Sequence, residues 1–96
     1  MVTQLINWKG NAAANQFVIT TNNATYFQSY NSVVAKWDGT NLILSNYWDY
    51  SRTTSKHLYI FLYDMGFHNL SCAKDIRNAI KDGSVILKRV SSLNIE

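Results

Sequence analysis

The hydrophobic period changes once along this chain, near Trp48, and that change constrains the fold more than any other feature. Before it, short runs rich in β-branched and aromatic residues alternate with turn residues. Val2 to Trp8, Gln16 to Thr21, Thr25 to Tyr30, Ser32 to Trp37 and Asn41 to Ser45 read as strands. Asn22-Asn23 tolerates positive φ, and Asp38-Gly39 is one of the strongest short hairpin signals. Gly10 to Asn15 is small and polar and reads as a loop. After Trp48, Leu58, Phe61, Leu62 and Met65 fall at the i, i+3, i+4, i+7 spacing of one helix face. Ser51, Thr53 and Thr54 offer N-caps, and Gly66 offers a stop. A second helix is expected from about Ser71 to Asp82-Gly83, with Cys72, Ala73, Ile76 and Ile80 as its apolar face, and Val85 to Val90 as a last strand. The expected fold is a single α+β domain over residues 1–96. It is an antiparallel β-meander of about four or five strands followed by two helices and a last strand.

Composition narrows the class further. With 47% hydrophobic and 16% charged residues, the 96-residue chain is too apolar to stay disordered and long enough for one core. No apolar run approaches the roughly 18 residues of a membrane span, so no membrane partner is expected. Met1 to Lys9 lacks the basic-then-apolar layout of a signal peptide. Cys72 stands alone, which precludes an internal disulfide and fits a reducing, cytoplasmic setting. The net charge of +3 is mildly basic and only weakly favours anionic partners.

The densest chemistry lies in Trp48-Asp49-Tyr50-Ser51-Arg52-Thr53-Thr54, at the junction into the first helix. In the structural reading, Asp49, Ser51 or Thr53 caps the helix, Arg52 pairs with Asp49, and Trp48 and Tyr50 anchor the junction in the core. In the functional reading, the helix start and Arg52 take an anion or nucleotide, with Asp49 and His57 completing the site. Lys74, Arg77 and Lys81 of the second helix lie within about 60° of one another, and Lys88 and Arg89 follow in the next strand. This is either a nucleic-acid-facing stripe or a solvated face diluted by Asp75 and Asp82. Tyr26, Phe27, Tyr30, Trp37, Tyr47, Trp48 and Tyr59 are core residues or base-stacking ones. Tyr26, Phe27 and Tyr30 do not alternate cleanly, so at least one should face outward. Tyr59, Ile60 and Tyr63 form a second apolar side of the first helix. Another element covers that side, or it meets a partner protein or a second copy of the chain in a homodimer.

For catalysis the inventory is thin. His57 and His68 are the only histidines. Asp64, His68 and Cys72 are spaced by four, but Gly66 interrupts the helix that would align them as metal ligands. A Cys72–His68 pair lacks an orienting third group. There is no carboxylate pair and no phosphate-cradling glycine loop. The expectation is therefore no enzyme, no metal and no cofactor.

Several strings carry a resemblance: Trp8-Lys9-Gly10-Asn11, Ala14-Asn15-Gln16-Phe17, Tyr26-Phe27-Gln28-Ser29-Tyr30 and Asn46-Tyr47-Trp48-Asp49-Tyr50-Ser51-Arg52-Thr53-Thr54. Together they resemble a family of short, uncharacterised proteins carried by bacteriophages and mobile elements of low-GC bacteria. The shared pattern covers roughly residues 5 to 65, and Lys74 to Val90 matches more loosely. The family has no assigned activity. The resemblance implies a mobile-element origin, placing the protein in a host cytoplasm. It implies no mechanism. Small size, the absence of a catalytic set and the spare apolar side of the first helix, taken with that origin, lead to the expectation of a non-enzymatic protein that binds a host or defence protein, or a nucleoprotein complex, as an anti-CRISPR-type inhibitor or adaptor. The alternatives are a small basic nucleic-acid-binding domain, and a nucleotide- or anion-binding or catalytic site at the junction of Asp49, Arg52 and His57.

Overall fold

The computed structural model describes residues 1–96. Five strands run as an antiparallel meander: β1 Val2–Ile6, β2 Ala12–Thr20, β3 Thr25–Ser29, β4 Ser32–Trp37 and β5 Leu42–Ser45. Two helices follow, α1 Arg52–Asp64 and α2 Ala73–Asp82, and then β6 Val85–Lys88. β6 joins the same sheet, parallel to β5, so the strand order is the chain order. A parallel neighbour needs a long crossover, which the two helices supply. The expected α+β order is the observed one.

The hairpin signals act locally as their chemistry requires. The Asp38 carboxylate accepts the N–H groups of Thr40 and Asn41 at 2.8 and 2.7 Å, closing the β4–β5 turn. Those bonds, with smaller help from Lys36, hold its pKa below the usual carboxylate range. The loop expected over Gly10 to Asn15 is shorter than its composition suggests, because Ala12 to Asn15 is drawn into β2. Ala12 pairs there with Ile6 across an irregularity in β1.

Strand alternation gives the sheet two buried faces. Phe27, Ala35 and Leu44 face the helices, where they pack with Leu58, Phe61, Leu62 and Ile76. Phe27 lies 5.7 Å from Phe61, nearly parallel to it. On the other face, Ile19, Ala24, Tyr26 and Val33 form a second cluster, closed by Leu93. Tyr26 and Phe27 are thus both buried, on opposite sides. The C-terminal segment is tied across that second face. Leu93 N–H donates to the Val33 carbonyl, the Val33 N–H donates to Ser92 Oγ, and the Glu96 N–H reaches the Tyr26 hydroxyl. No helix is long and apolar enough to cross a membrane.

Three sequence expectations are corrected here. Ile60, expected on a spare outer side of α1, is 1% exposed and belongs to the main core with Leu5 and Leu70. The helix is simply covered on two sides. Cys72, expected in the core, is the exposed N-cap of α2, whose buried positions are Ile76 and Ala79. Lys88 alternates with Leu87, which packs on the core, and so projects to the face away from α2, beside Lys36 and Glu96. It does not extend the stripe of Lys74, Arg77 and Lys81.

Candidate functional site: a tyrosine-lined cleft where strand becomes helix

The junction is built from backbone turns outward. After β5, the Trp48 and Tyr50 N–H groups donate to the carbonyls of Ser45 and Tyr47, and the Tyr47 N–H donates to Ser45 Oγ. Trp48 is drawn into the core. That leaves Tyr47 and Tyr50, either side of it, facing outward with their rings 4.8 Å apart and nearly parallel. Tyr50, expected as a core anchor, is 71% exposed. Ser51 then caps α1, its Oγ accepting the Thr54 N–H at 3.2 Å. Thr54 is buried, and its hydroxyl lies 2.9 Å from Ser29 Oγ and 3.2 Å from Ser51 Oγ. This chain of hydroxyls ties β3 to the helix start.

The facing wall is the β3–β4 turn at Tyr30-Asn31. Tyr30 has φ 54°, a left-handed conformation that bulky side chains seldom adopt. It is held there by its N–H bond to the Asn15 carbonyl and by Gln28 Nε2 on its own carbonyl, both 2.7 Å. Between the two walls lies a cleft of about 230 Å³. Tyr30, Tyr47 and Tyr50 form its rim, Asn31 and Ser32 one side, and Ser29, Val34 and Thr54 the remaining lining.

The charged residues singled out in the sequence do not converge on this cleft. Asp49 pairs with Arg77 of α2 at 3.5 Å rather than with Arg52. The same guanidinium lies 5.7 Å from the Trp48 ring centroid, so Arg77 clips α2 to the junction. Arg52 is the exposed first residue of α1 and forms no ion pair. His57 Nδ1 meets the Thr53 carbonyl at 2.8 Å, one turn back on the helix. Lys74 and Lys81 are exposed on α2, Arg89 is exposed beyond β6, and Asp64, His68 and Cys72 do not form a metal-binding group. Tyr59 is half-buried, which raises its phenol above the usual value mainly by desolvation, and Tyr63 stays 49% exposed. Sequence reasoning passed over Trp8, exposed between β1 and β2, whose flanking Lys9-Gly10 was the available signal.

The chain belongs to a family of unknown function, DUF8033, whose family model matches residues 1–78. The matched stretch contains every residue of the cleft. No curated protein and no solved structure matches the chain.

Proposed function

We propose that this protein is a non-catalytic binding module that engages a partner protein through the tyrosine-lined cleft. The observation that carries the reading is the composition and geometry of that surface. Three partly exposed tyrosines surround serine, threonine and asparagine side chains. Antibody paratopes use the same set. Tyrosine supplies large amphipathic contact area at low entropic cost, while serine and asparagine supply adaptable hydrogen bonds. Tyr30 adds a second argument. Its left-handed backbone costs about 1–3 kcal/mol for a non-glycine residue, and such strain collects where a side chain must be aimed. The resemblance to mobile-element proteins suggests a host or defence protein as the partner, with inhibition by occupation as the mode of action. The burial of Ile60 removes it from the outer side of α1 as an interface residue.

Affinity capture from nuclease-treated bacterial host lysate tests the reading. Wild type is compared with a Tyr30→Gly/Tyr50→Ala double variant of unchanged circular dichroism. A protein retained by the wild type and lost by the variant is the expected result. Identical retention by both would dismiss the cleft as the interface.

A further inference from the structure

A second aromatic surface lies on α1, with its rings gathered towards the end of the helix far from the cleft. Arg52, Lys56, Tyr59 and Tyr63 are separated by four, three and four residues. They therefore share one stripe about 60° wide and about 16 Å long. Towards its C-terminal end the stripe becomes the floor of a trough of about 290 Å³. One wall is Trp8, 63% exposed, whose ring stands edge-on to Tyr63 at 5.2 Å. The opposite wall carries His68, stacked on Tyr63 at 4.2 Å and 20°. Lys9 and Lys56 adjoin Trp8 in a smaller hollow next to it.

The charges here are unbalanced. The chain's two ion pairs are Lys36–Glu96 and Arg77–Asp49, so Lys9, Arg52 and Lys56 are all unpaired. The nearby carboxylate of Asp75 is turned onto Ser71, accepting its N–H and hydroxyl at 3.2 and 3.3 Å. Asp64 follows Tyr63 but points about 100° away from it around the helix. Exposed rings interleaved with uncompensated cations suit a polyanion that carries flat groups along its length.

We propose that this face binds single-stranded nucleic acid, with bases stacking on Trp8 and extending the Tyr63–His68 stack, and phosphates meeting Lys9, Lys56 and Arg52. Every base has a π face, so stacking of this kind is tolerant of sequence, and a basic track follows the backbone. A duplex hides its base faces and does not fit. The surface differs from the basic stripe of α2, where Arg77 is already engaged by Asp49.

Fluorescence anisotropy with labelled oligo-dT and oligo-U, against a duplex of equal length, provides the test. Single strands are expected to bind and the duplex to bind at least tenfold more weakly. The two oligomers distinguish DNA from RNA as the ligand. Three phosphate contacts give a log–log salt slope of about −2. Trp8→Ala should weaken binding by about tenfold or more, and Trp8→Phe should restore most of it. Lys9→Glu/Lys56→Glu, both at exposed positions, should weaken binding further and flatten the salt slope. Tyr50→Ala should change nothing, which separates this proposal from the cleft reading. No single-strand binding at 100 µM protein, equal affinity for duplex, or affinity unchanged by Lys9→Glu/Lys56→Glu would each overturn it. So would capture of an acidic protein by this face without any oligonucleotide binding.

Discussion

Gln16 offers the sharpest test of the packing argument. It lies on β2 opposite Ser29, on the sheet face turned to the helices, and is fully buried. Neither Oε1 nor Nε2 meets a hydrogen-bond partner. The nearby hydroxyls bond one another instead, Ser29 with Thr54 and Thr54 with Ser51. A buried polar group left unpaired costs about 1–3 kcal/mol. Methionine has nearly the length and flexibility of glutamine but carries no amide, so Gln16→Met removes that cost without opening a cavity. A net gain of about 1–2 kcal/mol is expected after imperfect repacking. For a 96-residue domain the unfolding entropy near 60 °C is about 0.2 kcal/mol/K, so Tm should rise by about 5–10 °C. Gln16→Ala should instead lower stability by about 1–2 kcal/mol, because the cavity term then dominates. Scanning calorimetry and urea unfolding at constant m-value measure both variants. A fall in Tm for Gln16→Met at unchanged m would refute the reasoning, because it would mean that the amide is paired in solution.

Other perturbations read out the junction and the turns. Thr54→Val should cost about 1–2 kcal/mol, and Ser51→Ala about 1. Combined, they should cost less than the sum, since both remove the one bond between the Ser51 and Thr54 hydroxyls; strict additivity in a double-mutant cycle would contradict the hydroxyl chain. Asp49→Asn should change stability by less than about 1 kcal/mol, because the Arg77 pair is largely exposed; a larger loss in urea unfolding would mean the clip is stronger than its exposure allows. Asp38, Asp75 and Asp82 are held below the usual carboxylate value, mainly by bonds from Asn41, Ser71 and Ser84 respectively. Depressed folded values mean that their stabilisation is complete above the unfolded value of 3.8 and is lost as pH falls through the lower folded values. Urea midpoints should therefore drop steeply below about pH 4, and less so in Asp38→Asn. Asp64 is raised by desolvation and has the opposite sign. Asp64→Asn should gain stability at neutral pH, a gain that disappears once pH falls below 3.8 and the acid is protonated in both states.

The meander and both helices were legible because their signals are local. Asp38-Gly39 sets one turn, and Leu58, Phe61 and Leu62 set one helix face. What stayed hidden depends on contacts distant in sequence. Ile60 looked spare because the sequence does not say which element covers the far side of α1. Residue type places Tyr50 in the core and helix spacing places Cys72 there, yet the turn from Tyr47 leaves Tyr50 exposed and the N-cap position of α2 leaves Cys72 exposed. The segment after β6 carried no periodic pattern, and its role emerges only through Leu93, Ser92 and Glu96 meeting Val33 and Tyr26. Of the site, the sequence located the junction motif but not the partner wall at Tyr30-Asn31, which arrives by the β3–β4 turn.

The case for binding rests on where this fold departs from its own economy. A two-sided sheet with helices on one face and a terminal strap on the other buries its aromatics readily, as Tyr26, Phe27, Trp48 and Phe61 attest. Single exposed apolar residues are ordinary on any surface. Here the exposed rings come in contacting sets, Tyr47 with Tyr50 and Trp8 with Tyr63 and His68, towards opposite ends of the same helix. Neither set is needed to close the core, and one sits beside a tyrosine held at positive φ. If the sets were merely tolerated, replacing Tyr30 with glycine should relieve backbone strain at no cost to anything the protein does. If Tyr30 is held there for recognition, the same change should leave Tm equal or higher while partner capture falls. That divergence between stability and binding, measured on one variant, distinguishes the two accounts.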